Sequence, residues 1–372
     1  IIISISRNNF HHNIGGTSKF IREQMNLFNK NGYLNIHLFW VKHNLKGYNG
    51  VYLSVVKDGV EVANYRIDDC FKEIKNIKAV IIHNLIRMDL ETLDLILEKI
   101  NVNVPILYYI HDFSCICSNI KLMYNNEFFC RGYEDGWSKC VTCESGEEKE
   151  VIFEYHKKLF KNRKITIIAP STITKEIIQR SFDLDSKSIT VIPHQKYRIV
   201  NKKNIHINQV IKVAYVGYKH LHKGWAIFRR LVGDFKDKYK FYCFGSSDEI
   251  LEGVEYVDVS FITEGEQAMT KKLVEYGIDV SLLLSVCPET YSYTYYESFA
   301  AGVFVITTVS SGNIFDQVKM NRNGIVITNY QELKELLSDE EKLRDSVLGN
   351  RKKIEGLRNN EEEILKLLMQ VK

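Results

Sequence analysis

Two glutamates are, by type and spacing, the side chains of this chain best suited to chemistry. Glu289 follows the apolar run VSLLLSV (280–286), and Glu297 lies eight positions further on, shortly before Gly302. In open parallel sheets, ligands bind outside the carboxyl ends of the strands. Because the flanking apolar runs are typical of such strands, we expect both carboxylates to face a ligand crevice. Carboxylates accept hydrogen bonds from hydroxyl groups, so the pair suits a ribose and a sugar.

The elements around these glutamates are predicted from apolar runs that alternate with amphipathic stretches. Continuous apolar strands separated by amphipathic helices indicate βαβ units and parallel sheets. The candidate strands cover residues 1–6, 35–41, 79–84, 105–111, 165–171, 188–193, 212–217, 240–245, 254–259, 280–286, 303–309 and 324–327. The predicted fold class is therefore α/β, with two Rossmann-like domains.

The domain boundaries follow from length and pattern. At 372 residues the chain exceeds one ordinary core, so two domains are expected. Residues 195–209 are polar and aperiodic, which is typical of a linker. We predict a first domain over 1–194, a linker over 195–210 and a second domain over 211–350, followed by charged helical sequence to residue 372.

Composition narrows the function classes. Hydrophobic residues at 45% and charged residues at 26% are typical of a globular protein. The net charge of +4 is too small to favour nucleic acid as a partner. No apolar stretch approaches the roughly 20 residues that span a bilayer, and the opening IIISIS is interpreted as a strand rather than a leader. We expect a cytoplasmic protein, in which the eight cysteines are thiols or metal ligands rather than disulfides.

Two loops could bind an anion. Gly15 and Gly16 follow the first strand and open a helix, whose N-terminus favours negative charge. Lys223, in HLHKGW (220–225), occupies the matching place after the first strand of the second half. The alternatives are an ordinary tight turn for the glycines and a solvated side chain for the lysine. GxGxxG is absent after either strand, which disfavours a dehydrogenase.

His111 and Asp112 end the candidate strand PILYYIH (105–111). A histidine at a carboxyl end can act as a general acid or base, or can hold a substrate hydroxyl. The alternative is a structural histidine.

A long loop after this strand carries a cysteine cluster within residues 113–147. Four thiolates in this spacing can close a tetrahedral structural zinc site, and the alternative is a set of free, partly buried thiols. Cys115 can replace the first member of the set. The four candidate ligands are Cys117, Cys130, Cys140 and Cys143.

The segment FEYHKKLFKNRK (153–164) is predicted to be a basic helix. Such a helix can rest on anionic lipid, and its alternative is a solvated charged face.

Taken in order, these segments resemble the retaining glycosyltransferases of family 4 (glycosyl transferases group 1), which have the GT-B fold. The resemblance covers almost the whole chain. Its most specific part is PETYSYTYYESFAAGVFVIT (288–307), which is similar to the family's pair of glutamates followed by a small residue, glycine and valine. The other matching motifs are GG (15–16), HD (111–112), APS (169–171), VIP (191–193), HKG (222–224) and SSGN (310–313).

The resemblance implies an α/β protein whose two parallel sheets face a central cleft, with a helix over 351–372 that crosses back to the first domain. It also implies roles for single residues. Glu297 would bind the nucleotide ribose, Glu289 would hold hydroxyls of the donor sugar, and His111 would lie beside the transferred sugar. The implied diphosphate contacts are Gly15, Gly16, Lys219, Lys223 and the backbone amides near Tyr293 and Thr294.

The activity that the resemblance implies is transfer of a hexosyl or N-acetylhexosaminyl group, with retention, from a UDP- or GDP-sugar. The acceptor would be a glycan, glycolipid or protein-linked glycan, for surface polysaccharide or glycoconjugate synthesis, at the inner face of the membrane. Catalysis would need no metal or other cofactor. The alternatives are a non-catalytic helper subunit of the same fold and a sugar-nucleotide epimerase.

Three positions depart from the family pattern. Tyr218 stands where an arginine is usual, Ser292 stands where a glycine is usual, and His194-Gln195 replaces Asn-Gly. The first departure replaces an arginine that the resemblance would imply as a phosphate contact.

Overall fold

The computed structural model describes residues 1–7, 10, 15–45, 48–57, 60–83, 85, 89–203, 206–245, 249–350 and 352–370. For residues 40–45, 48–51, 73 and 262 it describes the backbone only. The chain divides into two compact units. The first contains Ile1–Asn125, Cys130–His194 and Asn359–Lys372, and the second contains Asn126–Phe129 and Gln195–Arg358.

Up to residue 194 the described residues form strands β1 to β10 and helices α1 to α5. The strands are Ile2–Ile5, Asn35–Leu45, Tyr48–Lys57, Val60–Arg66, Ala79–Ile82, Ile106–Tyr109, Met123–Tyr124, Phe128–Phe129, Ile165–Ala169 and Ile189–Val191. The helices are Gly16–Lys30, Ile67–Glu73, Leu90–Glu98, Gly146–Asn162 and Thr172–Phe182.

From residue 195 onward the described residues form strands β11 to β18 and helices α6 to α13. The strands are Gln195–Asn201, Lys212–Val216, Lys240–Phe244, Val254–Val257, Val280–Leu283, Phe304–Thr308, Gly324–Ile327 and Lys352–Asn359. The helices are Trp225–Phe235, Phe261–Glu264, Ala268–Glu275, Tyr293–Ala300, Asn313–Asn321, Tyr330–Ser338, Glu340–Gly349 and Glu361–Gln370.

The sheet of the first unit has the order β10-β9-β6-β5-β1-β2-β3-β4. The strands from β10 to β2 are parallel, whereas β2, β3 and β4 form an antiparallel meander. A wholly parallel sheet was the wrong prediction for this edge. The missed signal is the dipeptide Asp58-Gly59 between two runs with alternating polarity, because a two-residue Asp-Gly connection favours a β-hairpin.

The core of the first unit lies between its sheet and helices from both ends of the chain. Phe20 and Phe28 of α1 pack in one cluster with Ile364 and Leu368 of α13. The continuous helix expected over 351–372 is wrong, because Lys352–Asn359 is a strand. Gly356 has a φ of 64°, and only glycine adopts such angles readily, so an unbroken helix is disfavoured there.

The second unit contains a sheet of parallel strands in the order β14-β13-β12-β15-β16-β17. Alternate residues of β12 enter separate clusters, with Val213 and Tyr215 on one face and Ala214 and Val216 on the other. Both faces of the sheet are therefore covered, which explains why its strands are continuous apolar runs rather than alternating ones.

The segment predicted to be a linker is partly regular structure. Residues Gln195–Asn201 form β11, which pairs with β18 in a small two-stranded sheet. Tyr197 of β11 packs on the ring of Tyr296 at 5.5 Å between centroids and donates a hydrogen bond to Gln317. Side-chain packing of this kind is not visible in a polar, aperiodic stretch of sequence.

Candidate functional site

The strand order of the second unit locates its ligand crevice. From β12 the chain proceeds outward through β13 and β14, and then returns to β15 on the other side of β12 and continues through β16 and β17. The chain direction across the sheet therefore reverses between β12 and β15. In doubly wound sheets, ligands bind outside the carboxyl ends of the strands at such a switch point. The loops after β12 and β15 carry Lys223 and Glu289.

Lys223 and Glu289 form an ion pair at this switch point. The Nζ atom of Lys223 donates to Oε1 of Glu289 at 2.6 Å, and the side chains are 33% and 13% exposed. The hydroxyl of Ser285 donates to the same oxygen at 2.6 Å. The structure shows that these two residues contact each other, and donor binding by either of them stays a prediction.

The loop that carries Lys223 is fixed against the neighbouring strand. Gly224 has a φ of 80°, and a Cβ atom there would lie 2.3 Å from the carbonyl oxygen of Leu284. The backbone N–H of Val286 donates to the carbonyl oxygen of His222 at 2.9 Å. Glycine is therefore required at position 224 for close approach, and this approach holds Lys223 beside Glu289.

The backbone of Glu289 is fixed by the loop after β16. Glu289 forms an isolated parallel bridge with Gly312, its N–H donates to Ser311, and its carbonyl accepts from Asn313 at 2.9 Å. A Cβ atom on Gly312 would lie 2.7 Å from the nitrogen of Glu289, and the φ of Gly312 is 63°. The SSGN motif thus positions a glutamate that is more than twenty residues away in sequence.

The charge state of Glu289 follows from its surroundings. Burial alone would raise the pKa of the carboxyl group, but Lys223 and the Ser285 hydroxyl lower it by a larger amount. The net pKa is below the ordinary value. Glu289 is therefore an ionised hydrogen-bond acceptor at neutral pH.

Helix α9 places the second glutamate. Ser292 caps the helix by accepting from the N–H of Tyr295 at 3.4 Å, and its backbone φ of −116° suits any residue. A serine in place of the usual glycine therefore costs no backbone strain. Thr294 lies in the first turn of the helix and close to Gly217. A Cβ atom built on Gly217 would be 3.9 Å from Cγ2 of Thr294. The first backbone amides of α9 thus adjoin the loop after β12.

Glu297 lies one turn further along α9 and is half-buried. Its carbonyl oxygen accepts from the Thr270 hydroxyl at 3.2 Å. The opposite side of the helix is anchored by Tyr295, which is completely buried and donates to Asn323 at 2.9 Å. The tyrosines that surround the glutamates in sequence therefore fix the orientation of the helix.

Lys219 has protein partners of its own. Its ammonium group donates to the carbonyl oxygen of Glu249, and it lies 4.7 Å from the centre of the Trp225 ring and 4.4 Å from that of Tyr256. These contacts hold the lysine on the surface of the second unit between two aromatic rings. Contact of Lys219 with a phosphate stays a prediction. Tyr218, beside it, is 50% exposed.

In the first unit, three histidines that follow strands meet around Phe20. His83 follows β5, His111 follows β6 and His194 follows β10. His83 Nδ1 lies 3.0 Å from His111 Nε2, and the rings of His111 and His194 are 5.5 Å apart. Phe20 packs on all three rings at 4.3–6.1 Å.

Burial keeps these histidines neutral. It lowers the pKa of His111 to about 3 and places the pKa of His83 and His194 well below the ordinary range. A neutral imidazole can donate at one nitrogen and accept at the other. His111 is therefore suited to hydrogen bonding at neutral pH rather than to supplying a positive charge.

The glycine pair of the first unit lies at the start of α1. Gly15 is extended, with a φ of 177°, and nothing lies within 4 Å of a Cβ atom built there. The turn conformation thus does not require glycine at position 15, whereas open space beside the backbone is compatible with a ligand. Residues 13 and 14 of the same motif lie outside the described residues.

The four candidate zinc ligands line one small cavity, together with Lys149 and Trp137. Burial raises the pKa of the Cys117 thiol to about 11. Cys115 is completely buried and is not part of the cavity wall. In the described ranges, no three His, Cys, Asp or Glu side chains are placed to hold a metal ion as they stand.

Sequence reasoning missed two residues of these sites, Ser285 and His83, and gave no role to a third, Gly312, which it had placed in the SSGN motif. Ser285 directly contacts Glu289, Gly312 fixes its backbone, and His83 contacts His111. His83 had a sequence signal, because it ends an apolar run in the same way as His111, whereas Ser285 had none. Contacts between loops of different strands are set by the sheet order, which the sequence pattern leaves open.

The basic helix predicted over 153–164 lies within α4. Phe153, His156 and Leu159 are buried, whereas Lys158 and Lys161 are exposed. In the described part of the chain, no helix is both long and apolar enough to cross a membrane. Contact of the exposed lysines with lipid stays a prediction.

Neither a family model nor a curated protein matches the sequence. Solved structures do match the fold. Sucrose-phosphate synthase (tll1590) from Thermosynechococcus elongatus superimposes with a TM-score of 0.60 at 13% identity, over 94% of this chain and 92% of that one. WaaG, a glycosyltransferase involved in lipopolysaccharide biosynthesis, gives 0.57 at 12% identity, over 94% of each chain. Anabaena Alr3699/HepE in complex with UDP gives 0.55 at 11% identity, over 100% of this chain and 96% of that one.

These matches define the class of fold. The chain has the GT-B fold, with two Rossmann-like bodies. The α/β fold class predicted from the sequence is confirmed. Because the identities are only 11–13%, these likenesses show the fold alone.

Proposed function

We propose that this protein is a glycosyltransferase that moves a sugar from a nucleoside diphosphate donor to an acceptor hydroxyl with retention of configuration. The observation that carries the proposal is the Lys223–Glu289 ion pair at the switch point of the second sheet. In such a pair the ammonium group can bind a phosphate, and the neighbouring carboxylate can accept hydrogen bonds from sugar hydroxyls.

Lys223 and the start of α9 would stabilise the leaving group. Breaking the bond between the anomeric carbon and the donor phosphate places negative charge on the diphosphate. Oriented amides and a fixed cation aimed at developing charge are effective catalysts. The first amides of α9, at Tyr293 and Thr294, are suited to bind the diphosphate, since a helix N-terminus favours anions.

Glu289 would hold hydroxyls of the transferred sugar. The described contacts of its carboxylate go to Oε1, so Oε2 is the oxygen that would accept a sugar hydroxyl. Its lowered pKa keeps it ionised, and ionised acceptors form stronger hydrogen bonds. Glu297, half-buried and one turn into α9, would accept from the ribose hydroxyls.

The proposed transfer step does not require a side-chain acid with a raised pKa to protonate the leaving group. The acceptor oxygen attacks the anomeric carbon on the face that the diphosphate leaves, and the departing phosphate oxygen takes the acceptor's proton. Neutral His111, with His83 at 3.0 Å, would hydrogen-bond to the sugar and acceptor, and the Gly15–Gly16 turn would contact the phosphates. We propose that this step requires no metal or other cofactor.

The solved neighbours support a nucleotide-sugar donor. Anabaena Alr3699/HepE has been solved both in complex with UDP and in complex with UDP-glucose. We propose a UDP- or GDP-hexose or N-acetylhexosamine donor. The acceptor would be a glycan, glycolipid or protein-linked glycan, used in surface polysaccharide or glycoconjugate synthesis near a cytoplasmic membrane face.

A nucleotide-sugar panel tests the proposal. Isothermal titration with UDP-, GDP- and ADP-sugars should show one preferred donor, and that donor should be hydrolysed slowly without an acceptor. No binding by any donor would overturn the proposal. An epimerised sugar nucleotide in place of free nucleoside diphosphate would establish an epimerase.

A further inference from the structure

The cysteine loop of the first unit encloses a cavity whose wall contains four thiols. Cys117, Cys130, Cys140 and Cys143 all line it. The cavity leaves about 20 Å³ for a water-sized body, which is room for about one water molecule or one ion. Cys140 and Cys143 are held in a tight turn, in which the N–H of Cys143 donates to the carbonyl of Cys140 at 3.3 Å.

A buried lysine faces the same cavity. Lys149 is 8% exposed, and its ammonium group lies 4.5 Å from the centre of the Trp137 ring and 4.1 Å from that of Phe153. The described contacts of its ammonium group are with these two rings. A buried cation is costly unless an anion accompanies it. The arrangement therefore indicates an anionic partner inside the cavity.

The backbone of the loop around the cavity is sterically constrained. A Cβ atom on Gly132 would lie 2.0 Å from the Trp137 ring, and one on Gly146 would lie 2.0 Å from the Cys140 carbonyl oxygen. Of eight described non-glycine residues with positive φ, five lie between positions 122 and 137. Such conformations persist only where the surroundings over-determine them.

We propose that Cys117, Cys130, Cys140 and Cys143 bind one zinc ion in this cavity, with Lys149 as the counter-charge of the site. Four thiolates around Zn²⁺ carry a net charge of about −2, which the ammonium group partly offsets. The thiols are not placed to hold a metal as they stand in the described residues. A change of χ1 rotamer moves a sulfur by roughly 3 Å, so they can converge within a cavity of this size. Each thiol that binds releases its proton to solvent.

Metal analysis of the full chain, purified without added metal, tests this proposal. We expect about one zinc ion per chain and its release by a mercurial reagent. Cys143→Ala should lose the zinc, whereas Cys115→Ala, which removes a buried thiol outside the cavity, should retain it. Zinc well below one per chain, together with no tetrahedral cobalt–thiolate spectrum after cobalt addition, would overturn the proposal.

Lys149 provides a test that removes no ligand. Lys149→Gln should still bind zinc but should lose it to a chelator several-fold faster than the unsubstituted chain. The cobalt spectrum of the unsubstituted protein keeps the proposal falsifiable even if Cys143→Ala does not fold. Thiol titration that shows disulfides among the four cysteines would also overturn it.

Discussion

Lys223 Nζ lies 2.6 Å from Glu289 Oε1, although the two residues are 66 positions apart in sequence. They meet because β12 and β15 are adjacent parallel strands of one sheet, so the loops that follow them leave the same edge of that sheet. Each side chain therefore holds the other in place before any ligand arrives, which reduces the ordering that donor binding must impose.

Lys223→Gln should weaken donor binding and slow transfer. The substitution removes the cation proposed to bind the diphosphate and leaves Glu289 without its charged partner. Loss of a charge-assisted contact corresponds to about a 10-fold to 100-fold change in affinity. Titration with the preferred donor measures the change, and Lys271→Gln, at an exposed lysine of the same unit, is the control.

Glu297→Ala should reduce affinity for the free nucleoside diphosphate as well as for the donor. A carboxylate bound to ribose hydroxyls contributes about 1.5–3 kcal/mol, equivalent to about a 10-fold change or more. Calorimetry with the nucleoside diphosphate alone separates this role from that of Glu289, whose proposed partner is the sugar. Glu275→Ala, an exposed glutamate on α8, serves as control, and unchanged affinity in Glu297→Ala would refute the ribose role.

Gly312→Ala should displace the Glu289 backbone. A Cβ atom there would be 2.7 Å from the Glu289 nitrogen, and the φ of 63° disfavours any other residue. We expect lost donor binding and a free energy of unfolding lower by about 1–3 kcal/mol. Gly233→Ala in α6 is the matched control, because open space surrounds it. Alanine there should stabilise the helix by about 0.5–1 kcal/mol.

Acidification should destabilise the first unit. The folded-state pKa of His111 is about 3, below its ordinary value of 6.5, so below pH 6.5 the unfolded chain binds protons that the folded chain does not. Stability is complete above this pH and falls by about 1 kcal/mol per histidine for each pH unit below it. Asp112, whose pKa is raised by burial, titrates in the opposite sense.

Urea unfolding at several pH values measures this dependence. His83→Gln should flatten it by about one quarter, since His83 is one of at least four histidines of the first unit whose pKa is lowered by burial. His206→Gln, at an exposed histidine, should leave the slope unchanged. Equal slopes for His83→Gln and the unsubstituted chain would show that the cluster does not control acid stability.

The sequence pattern was sufficient to predict an element or a site residue where a single physical requirement, such as burial on both faces, determines the residue types. The strand Val280–Leu283 is largely apolar because both faces of its sheet are covered, and Glu289 could be located from this run. Features that depend on two distant segments could not be located in this way. Position 312 must be glycine because the backbone of Glu289 passes beside it. Likewise, β18 is a strand through its pairing with β11.

Helix α13 packs with α1, although residues 195–358 of the second unit separate it from the rest of the first. During synthesis, the ribosome must therefore translate the second unit before Ile364 and Leu368 can cover Phe20 and Phe28. At about 5–20 residues per second, this delay is on the order of 10 s. Throughout that interval the cluster that contains Phe20 and Phe28 lacks the apolar contacts of Ile364 and Leu368.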